Sequence, residues 1–438
     1  MQQSKWLPVV GSLLVLGGLV ATPRAHAQSG NTAETPAARP DSHGLREEDL
    51  FRHWLTNSPE VAAWRNQIGA SRFDVLTARL WPNPQLQVGG SGVVQGDPGG
   101  GRLGISAQLA FGLPIFGQVS GRIDAAEATV HVTEAQIMAA LWERASDIRR
   151  AMLDRIFADA RARMLQTNLD ELMTFRQIVD TRARDGANSQ YDVLRVDNAV
   201  STLSAALSDA VIERDRAETT LLSLISDPNL HEAPISREDL GEFAGPASES
   251  QLVDEALLHR PDLELARRGV VAAEAQASRY RREAIPLPTV WIGGSVTRDV
   301  PSIVLAGGIG FQLPTFDRFQ GAVGHAVADA DTNRMLVAAL EARIRAEVHG
   351  YWVARQSATE ALGRFRREGL PLTQGMMDRA QIAYRAGALS IADLFDAYRT
   401  IWEARLQEIA LQETMVHSEA DLERAAAVDS FTHADNAQ

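Results

Sequence analysis

The chain states one complicated pattern twice, and few folds can accommodate what is repeated. Around Pro82-Asn83-Pro84 a long helical pattern gives way to two alternating segments, which end at Leu113-Pro114-Ile115-Phe116-Gly117. About 200 residues later Pro286-Leu287-Pro288 opens the same events, ending at Leu313-Pro314-Thr315-Phe316-Asp317. Downstream, Arg184-Asp185-Gly186-Ala187-Asn188-Ser189-Gln190-Tyr191-Asp192 matches Arg385-Ala386-Gly387-Ala388-Leu389-Ser390-Ile391-Ala392-Asp393. The Gly, Ser and Asp of the two blocks fall at identical spacing. A repeat that joins short strands to very long helices is a structural duplication.

The alternating segments read as strands. In Gln85 to Val94, Leu86, Val88 and Val94 share one face with Gly90 and Gly92, while Gln85, Gln87 and Ser91 share the other. In Arg102 to Leu113 every second residue from Leu103 is apolar. Val290, Ile292 and Val296 alternate with Thr289, Ser295 and Thr297, and Ile303, Leu305, Ile309, Phe311 and Leu313 follow the same rule. Period-two alternation over about ten residues, with Gly and small residues on one face, suits a strand between lipid and a wet lumen. An ordinary soluble sheet is the competing reading. Gly96 to Gly101 and Arg298 to Pro301 read as hairpin tips.

Each strand pair is followed by long helical stretches. Glu47 to Leu80 is helical in pattern, with Ser58 a plausible N-cap and Pro59 in the first turn; His-Arg-Pro261-Asp-Leu opens the equivalent helix of the second half. Gly121 to Arg184 contains no proline and would reach roughly 95 Å as one helix. Val196, Val200, Leu203, Leu207, Ala210, Ala217, Leu221 and Leu224 form a heptad seam on the returning segment, matched by Leu165, Leu169, Leu172 and Val179. In the second half, Ala322 to Arg385 goes out. Ile391, Leu394, Tyr398, Ile401, Leu406, Ile409 and Val416 return. Gly186 and Gly387 therefore mark the tips of two antiparallel helical hairpins.

The boundaries follow from these patterns. Residues 1–27 read as a secretory signal, with Lys5, an apolar run from Leu7 to Val20, and the cleavage pattern Ala25-His26-Ala27 before Gln28. A membrane anchor is disfavoured because the run is short for a bilayer. A flexible leader occupies 28–45, the first repeat 46–225, a linker 226–250, the second repeat 251–426 and a tail 427–438. No later stretch is apolar enough to cross a membrane as a helix, so any insertion must use a closed barrel. The chain has no cysteine, which removes disulfides, thiolate metal sites and a lipid-modified N-terminus. After cleavage 41 arginines face 56 acids, a net charge of −15 that argues against nucleic acid as a partner.

Four strands per chain cannot close a barrel, whereas three chains would supply twelve strands and twelve helical segments. A trimer is the economical closure; two or four chains also remain arithmetically open. The expected fold is mainly α with a transmembrane β part.

Taken together, the chain resembles the TolC-like outer-membrane efflux family over nearly all of its mature length. The resemblance is carried by Trp81-Pro82-Asn83-Pro84, the paired Leu-Pro-x-Phe strand ends, and Tyr384-Arg385-Ala386-Gly387 followed by Ser390, Asp393 and Asp396. Leu313 to Gly321 looks particularly like the CzcC-like branch, which serves cobalt-zinc-cadmium exporters. The resemblance implies a homotrimeric channel-tunnel, a twelve-stranded barrel in the outer membrane continuing into an α-helical barrel in the periplasm. Its implied partners are outer-membrane lipid, a periplasmic adaptor (membrane fusion protein) and an inner-membrane pump, often of the RND class.

No enzyme constellation stands out, and no cofactor is expected: there is no phosphate-binding Gly loop, no cysteine nucleophile and no H-E-x-x-H motif. The ten histidines are scattered. The candidate site is at the tips. Asp393 and Asp396 lie three apart after Gly387 and share a helical face. Three copies would place six carboxylates around the pore, attracting cations and binding divalent ions that obstruct it. The alternative is that these are solvated acids favoured by the helix dipole. The resemblance adds Asp192, the first-repeat equivalent of Asp393, and Tyr384 as residues that hold the tips closed. Some relatives carry an Arg two residues after the tip Gly, where it can bridge to the Asp192 equivalent. Here that position is Leu389, so a charged latch needs Arg195 or Arg385, or is absent. Phe116, Phe316, Phe319 and Trp81 are expected at strand–helix junctions, where they suit either a membrane interface or ordinary packing.

The reading that unites these features is a passive exit duct of a tripartite efflux system, with heavy-metal cations the leading cargo and organic solutes the second. A periplasmic coiled-coil scaffold explains the heptads but not the matched strand pairs. An envelope hydrolase has no assembled catalytic pair.

Overall fold

The computed structural model describes residues 47–92, 96, 103–184, 189–226, 248–297 and 302–428. The expected signal peptide and leader, the linker over 227–247, nearly all of the two strand-hairpin tips, Gly186 and the tail from 429 lie outside the described residues.

The chain order is α1 (Glu47–Asn57), α2 (Pro59–Arg79), β1 (Gln85–Gly92), β2 (Leu103–Gly112), α3 (Gln118–Arg184), α4 (Gln190–Ile225), α5 (Glu249–His259), α6 (Pro261–Glu283), β3 (Pro288–Thr297), β4 (Ser302–Phe311), α7 (Gln320–Arg364), a π turn (Phe365–Gly369), α8 (Leu370–Arg385) and α9 (Ile391–Ala426). It divides into two compact units, one of residues 64–139 and 261–341, the other of 1–63, 140–260 and 342–438.

The first of these holds a four-stranded antiparallel sheet in the order β1-β2-β3-β4. Directly opposed residues share a face, so the register tests the expected alternation. Leu86 faces Leu109, which faces Ile292; Gly90 faces Ile105, then Val296, then Ile303; Phe111 faces Val290, then Ile309. Every residue assigned to the apolar face that lies within these strands falls on it. That face is bare within the chain: Leu305 is 81% exposed and Ile303 75%. The opposite face carries Gln85, Gln87, Ser91, Ser106, Gln108, Thr289, Ser295 and Thr297 among glycines and alanines, with Trp291 and Val304 its larger apolar residues. The strands are eight to ten residues long, close to what a tilted membrane-spanning strand requires. Among the described residues the outer edges of β1 and β4 have no strand partner.

The junction aromatics stand where the pattern put them. Trp81 lies between α2 and β1, Phe116 between β2 and α3, and Phe316 and Phe319 between β4 and α7; Phe316 is 92% exposed, while Phe319 stacks on Tyr280 with ring centroids 6.3 Å apart. No helix among the described residues is long and apolar enough to cross a membrane.

The other unit is helical, and its core contains the fully buried Leu50, Trp54, Ile148, Leu153, Phe157, Leu172, Val179, Leu252, Ile344 and Leu422. Expected seam residues Val196, Ala210 and Leu221 are buried, as are Leu165, Leu169, Leu172 and Val179 opposite them. The helical stretch from Glu47 is two helices, broken at Ser58, whose hydroxyl accepts the Glu60 N–H at 3.2 Å. Proline then occupies the first helical position, where its missing N–H costs nothing.

The outgoing helix of the second half differs more. It is interrupted by the π turn, where the Leu370 N–H donates to the Phe365 carbonyl. The cause is Pro371, which has no N–H and whose ring collides with the carbonyl four residues earlier. One wider turn before it absorbs the conflict without ending the helix. The first half has no proline in α3, which runs unbroken for 67 residues.

Candidate functional site at the hairpin tips

The turn between α8 and α9 is set by Gly387. Its φ of +71° is left-handed, and the chain there forms the two bonds of a Schellman motif: Gly387 N–H to the Tyr384 carbonyl at 3.0 Å, and Ala388 N–H to the Ala383 carbonyl at 2.9 Å. The corresponding turn at Gly186 lies outside the described residues.

The repeated Ser and Asp then start the returning helices. Ser189 caps α4: its hydroxyl accepts the Asp192 N–H at 3.3 Å, and the Asp192 carboxylate accepts the Ser189 N–H at 3.1 Å. In the second half the Ser390 hydroxyl accepts the Asp393 N–H at 3.2 Å and donates to the Asp393 carboxylate at 2.6 Å. Helix capping therefore accounts for the identical Ser-to-Asp spacing in both halves. Asp393 stays exposed while doing this, so capping does not withdraw its charge from solvent.

Asp396 has a different environment. It is half-exposed, and its carboxylate meets Arg195 of α4 at 3.5 Å and Arg399 at 3.8 Å. The structure thus pairs Arg195 with Asp396 rather than with Asp192. Arg195 also lies 5.8 Å over the Phe395 ring. Tyr384 packs against the buried cluster of Leu172, Phe175, Val179, Val196, Ile391, Leu394, Phe395, Ile401 and Trp402. Its ring lies under Arg182 at 4.6 Å, and its buried hydroxyl has no hydrogen-bond partner among the described residues. Leu389, which replaces the expected Arg, packs on the same cluster.

Sequence reasoning placed Tyr398 on the returning seam but missed Phe175, Phe395 and Trp402 around it. Phe175 contacts Tyr398 at 5.2 Å, and Tyr398 contacts Trp402 at 5.7 Å. The Trp402 indole N–H donates to Glu171 at 2.9 Å, and Arg405 reaches the same carboxylate at 2.9 Å. The signal was present: Phe395 and Trp402 lie seven apart, one heptad beside the identified seam. On the first hairpin Arg176 pairs with Asp197, and that hydrogen bond holds the Asp197 carboxyl below the usual carboxylate range.

A second titratable cluster lies deeper in the same unit. Arg149 is shared by Glu47 of α1, at 3.3 Å, and by Glu423 of α9. Burial pushes the Glu47 carboxyl up to about 7; Arg149 opposes this and Glu423 reinforces it. Burial also raises Glu423, against the attraction of Arg149. Nearby Arg260 is only 5% exposed. It donates to Glu347 at 2.8 Å and to the Ala425 carbonyl at 3.4 Å, and lies 5.3 Å over the Trp142 ring. Burial works against the charge of Glu347, but hydrogen bonds from Arg260 and Arg343 outweigh it and hold the carboxyl low. Ser58 and Arg260 precede the two repeat prolines, so equivalent positions do different work: one caps a helix, the other anchors an ion-pair network.

Among the described residues no group of three or more His, Asp or Glu side chains could hold a metal ion. What the tips offer is carboxylate charge at a helical turn, braced by the Arg195–Asp396 ion pair and an aromatic core.

Comparison with known proteins agrees with this architecture. The family model described as "Outer membrane efflux protein" matches residues 50–226 and 252–428. The cobalt-zinc-cadmium resistance protein CzcC of Cupriavidus metallidurans is 23% identical over 360 residues, spanning 80% of this chain and 82% of CzcC. The pyoverdine export outer membrane protein OpmQ of Pseudomonas putida is 23% identical over 273 residues, 60% of this chain and 57% of OpmQ. The solved structure of the transmembrane channel CusC superposes with a TM-score of 0.71 at 18% identity, covering 87% of this chain and 91% of CusC. The fold is that of the TolC-like channel-tunnels, and such proteins are ducts rather than enzymes. With both of its repeats matched, the chain belongs to the outer membrane efflux protein family.

Proposed function

We propose that three copies of this chain form the exit duct of a tripartite efflux system that exports heavy-metal cations of the cobalt, zinc and cadmium type. In this reading the duct takes cargo from a periplasmic adaptor and an inner-membrane RND-type pump, which supplies the energy. The likeness to CzcC across four-fifths of both chains carries the choice of cargo. The trimer is supported by the two free sheet edges and the bare apolar face, which lipid and neighbouring strands would cover. The tip carboxylates Asp393 and Asp396 supply matching chemistry, since three copies would concentrate negative charge where cations enter. Tyr384 and Asp192 act beside them, one packing the tip core and the other fixing the start of α4.

The shorter match to OpmQ favours a second reading, organic-solute export by the same architecture. Susceptibility of a clean deletion strain to zinc, cobalt and cadmium, beside a panel of drugs and organic chelators, separates the two. Selective metal sensitivity restored by the intact gene supports the first reading. Selective sensitivity to organic compounds retains the channel and discards the metal cargo.

A further inference from the structure

The turn that leads from a strand into a long helix occurs twice, and the first copy is an internal control for the second. Both begin with the same bond: the Ile115 N–H donates to the Leu113 carbonyl at 2.9 Å, and the Thr315 N–H to the Leu313 carbonyl at 2.9 Å. Both end with a glutamine side chain that accepts a backbone N–H, Gln118 from Phe116 at 3.0 Å and Gln320 from Arg318 at 2.6 Å. The residue before each glutamine has positive φ, +81° at Gly117 and +60° at Phe319. Between these matched ends the second turn is two residues longer, and the added stretch contains Asp317 and Arg318. Glycine adopts the left-handed conformation freely, whereas a bulky residue is strained there. Two contacts hold Phe319 in it: the Asp317 carboxylate accepts its N–H at 2.9 Å, and its ring stacks on Tyr280. Strain kept at only one of two equivalent turns is a pointer to function.

What the longer turn presents is Arg318. Its side chain is exposed, and its Nε donates to the Pro314 carbonyl at 3.2 Å. That bond holds the guanidinium in place and leaves both terminal nitrogens unspent, since Arg318 forms no ion pair among the described residues. Arginines near the first turn are already engaged: Arg79 meets Glu127, and Arg282 meets Asp124. Beside Arg318 the apolar face of β4 continues past the strand through Leu313, 74% exposed, to Phe316. A preset guanidinium fork next to bare hydrocarbon matches a phosphate diester that carries acyl chains. We propose that Arg318 and Phe316 form a phospholipid-binding site at the periplasmic rim of the barrel, selective for an anionic headgroup. The guanidinium holds the phosphate, and Phe316 enters the acyl layer. The inference rests on the reading of the sheet as part of an outer-membrane barrel. Selectivity has to be local, because a chain of net charge −13 repels anionic lipid as a whole.

The test is lipid binding to the full-length protein in neutral detergent, read by native mass spectrometry with phosphatidylglycerol or phosphatidylcholine. Wild type is expected to prefer phosphatidylglycerol about five-fold or more. Arg318→Gln should erase the preference and leave the melting temperature unchanged, and Arg318→Lys should keep part of it. Replacing residues 317–319 by one glycine, which recreates the first-repeat turn, should erase it as well. Because the chain has no cysteine, a second readout is independent of these variants. A fluorophore on Phe316→Cys in phosphatidylglycerol vesicles should be quenched by spin-labelled lipid and shielded from aqueous iodide. Equal binding of the two lipids, a preference that survives Arg318→Gln, or a label open to iodide would overturn the proposal. Displacement of the lipid by inorganic phosphate at matched concentration would also overturn it, by assigning Arg318 to a free anion. Wild-type protein that does not insert into vesicles would instead remove the barrel, and the proposal with it.

Discussion

Arg195 and Asp396 are separated by 201 positions in the chain, yet guanidinium and carboxylate meet at 3.5 Å beside the hairpin tips. The pair joins α4, from the first repeat, to α9, from the second. Both side chains are more than a third exposed, so the bond itself contributes little to stability, about 0.2–1 kcal/mol. Its geometric effect is larger, because it ties the starts of the two returning helices together.

Arg195→Ala should therefore leave thermal stability almost unchanged and raise channel conductance by loosening the tip. Arg195→Lys, which keeps the charge, should restore most of the wild-type value. Bilayer recording beside a melting curve checks both. A large fall in melting temperature with no change in conductance would make the pair a structural brace only.

Asp393 and Asp396 are expected to act on cations. The double variant Asp393→Asn with Asp396→Asn should weaken block of the open channel by divalent ions. The asparagine oxygen at position 393 can still accept from the Ser390 hydroxyl, so the α9 cap survives and the comparison isolates charge. Unchanged block would assign both acids to capping and to the Arg195 pair, with no role in the pore.

The sheet and the helical seams were readable in the sequence because each depends on a local period. A period of two assigned the faces of β1 to β4, and heptad steps assigned Val196, Ala210 and Leu221 to the core. The Ser-to-Asp spacing was equally legible, although its first cause is helix capping at Ser189 and Ser390. What the sequence did not show needs contacts between distant segments. Arg149 has to draw Glu47 and Glu423 from opposite ends of the chain before either carboxyl is perturbed. Arg260 reads as an ordinary residue before a proline until Glu347, Ala425 and Trp142 are folded around it. The π turn lay between these cases: Pro371 was visible, but whether a helix stops, kinks or widens at proline is decided by its packing.

Gly387→Ala should destabilise the second hairpin by about 1–2 kcal/mol, the cost of a left-handed backbone for a residue with a Cβ. Sterics add nothing, since a Cβ at this position would meet no atom within 4 Å. The prediction is thus one of backbone strain alone. Gly387→Asn, which tolerates this conformation better, should lose less. Equal losses in the two variants, read from denaturant unfolding, would contradict that origin.

Glu47 gives a pH-dependent prediction whose sign is fixed by its environment. Its folded-state value, about 7 instead of 4.5, means the folded protein holds a proton that the unfolded chain has released. The stability contributed by protonated Glu47 is fully present below about pH 4.5 and is lost as pH rises through about 7. Facing it are Arg149, which favours the charged form, and Glu423 and Glu48, which oppose it. Glu47→Gln mimics the protonated side chain at every pH. It should match wild type near pH 5 and exceed it near pH 8 by roughly 3 kcal/mol at most. Groups remote from position 47 cancel in the difference; Glu423 does not, because it shares Arg149 with Glu47 and is eased toward its charged form once position 47 is neutral. Melting temperatures in detergent at the two pH values measure it. A variant weakened equally at both would show that the ion pair with Arg149 outweighs the cost of burying the charge.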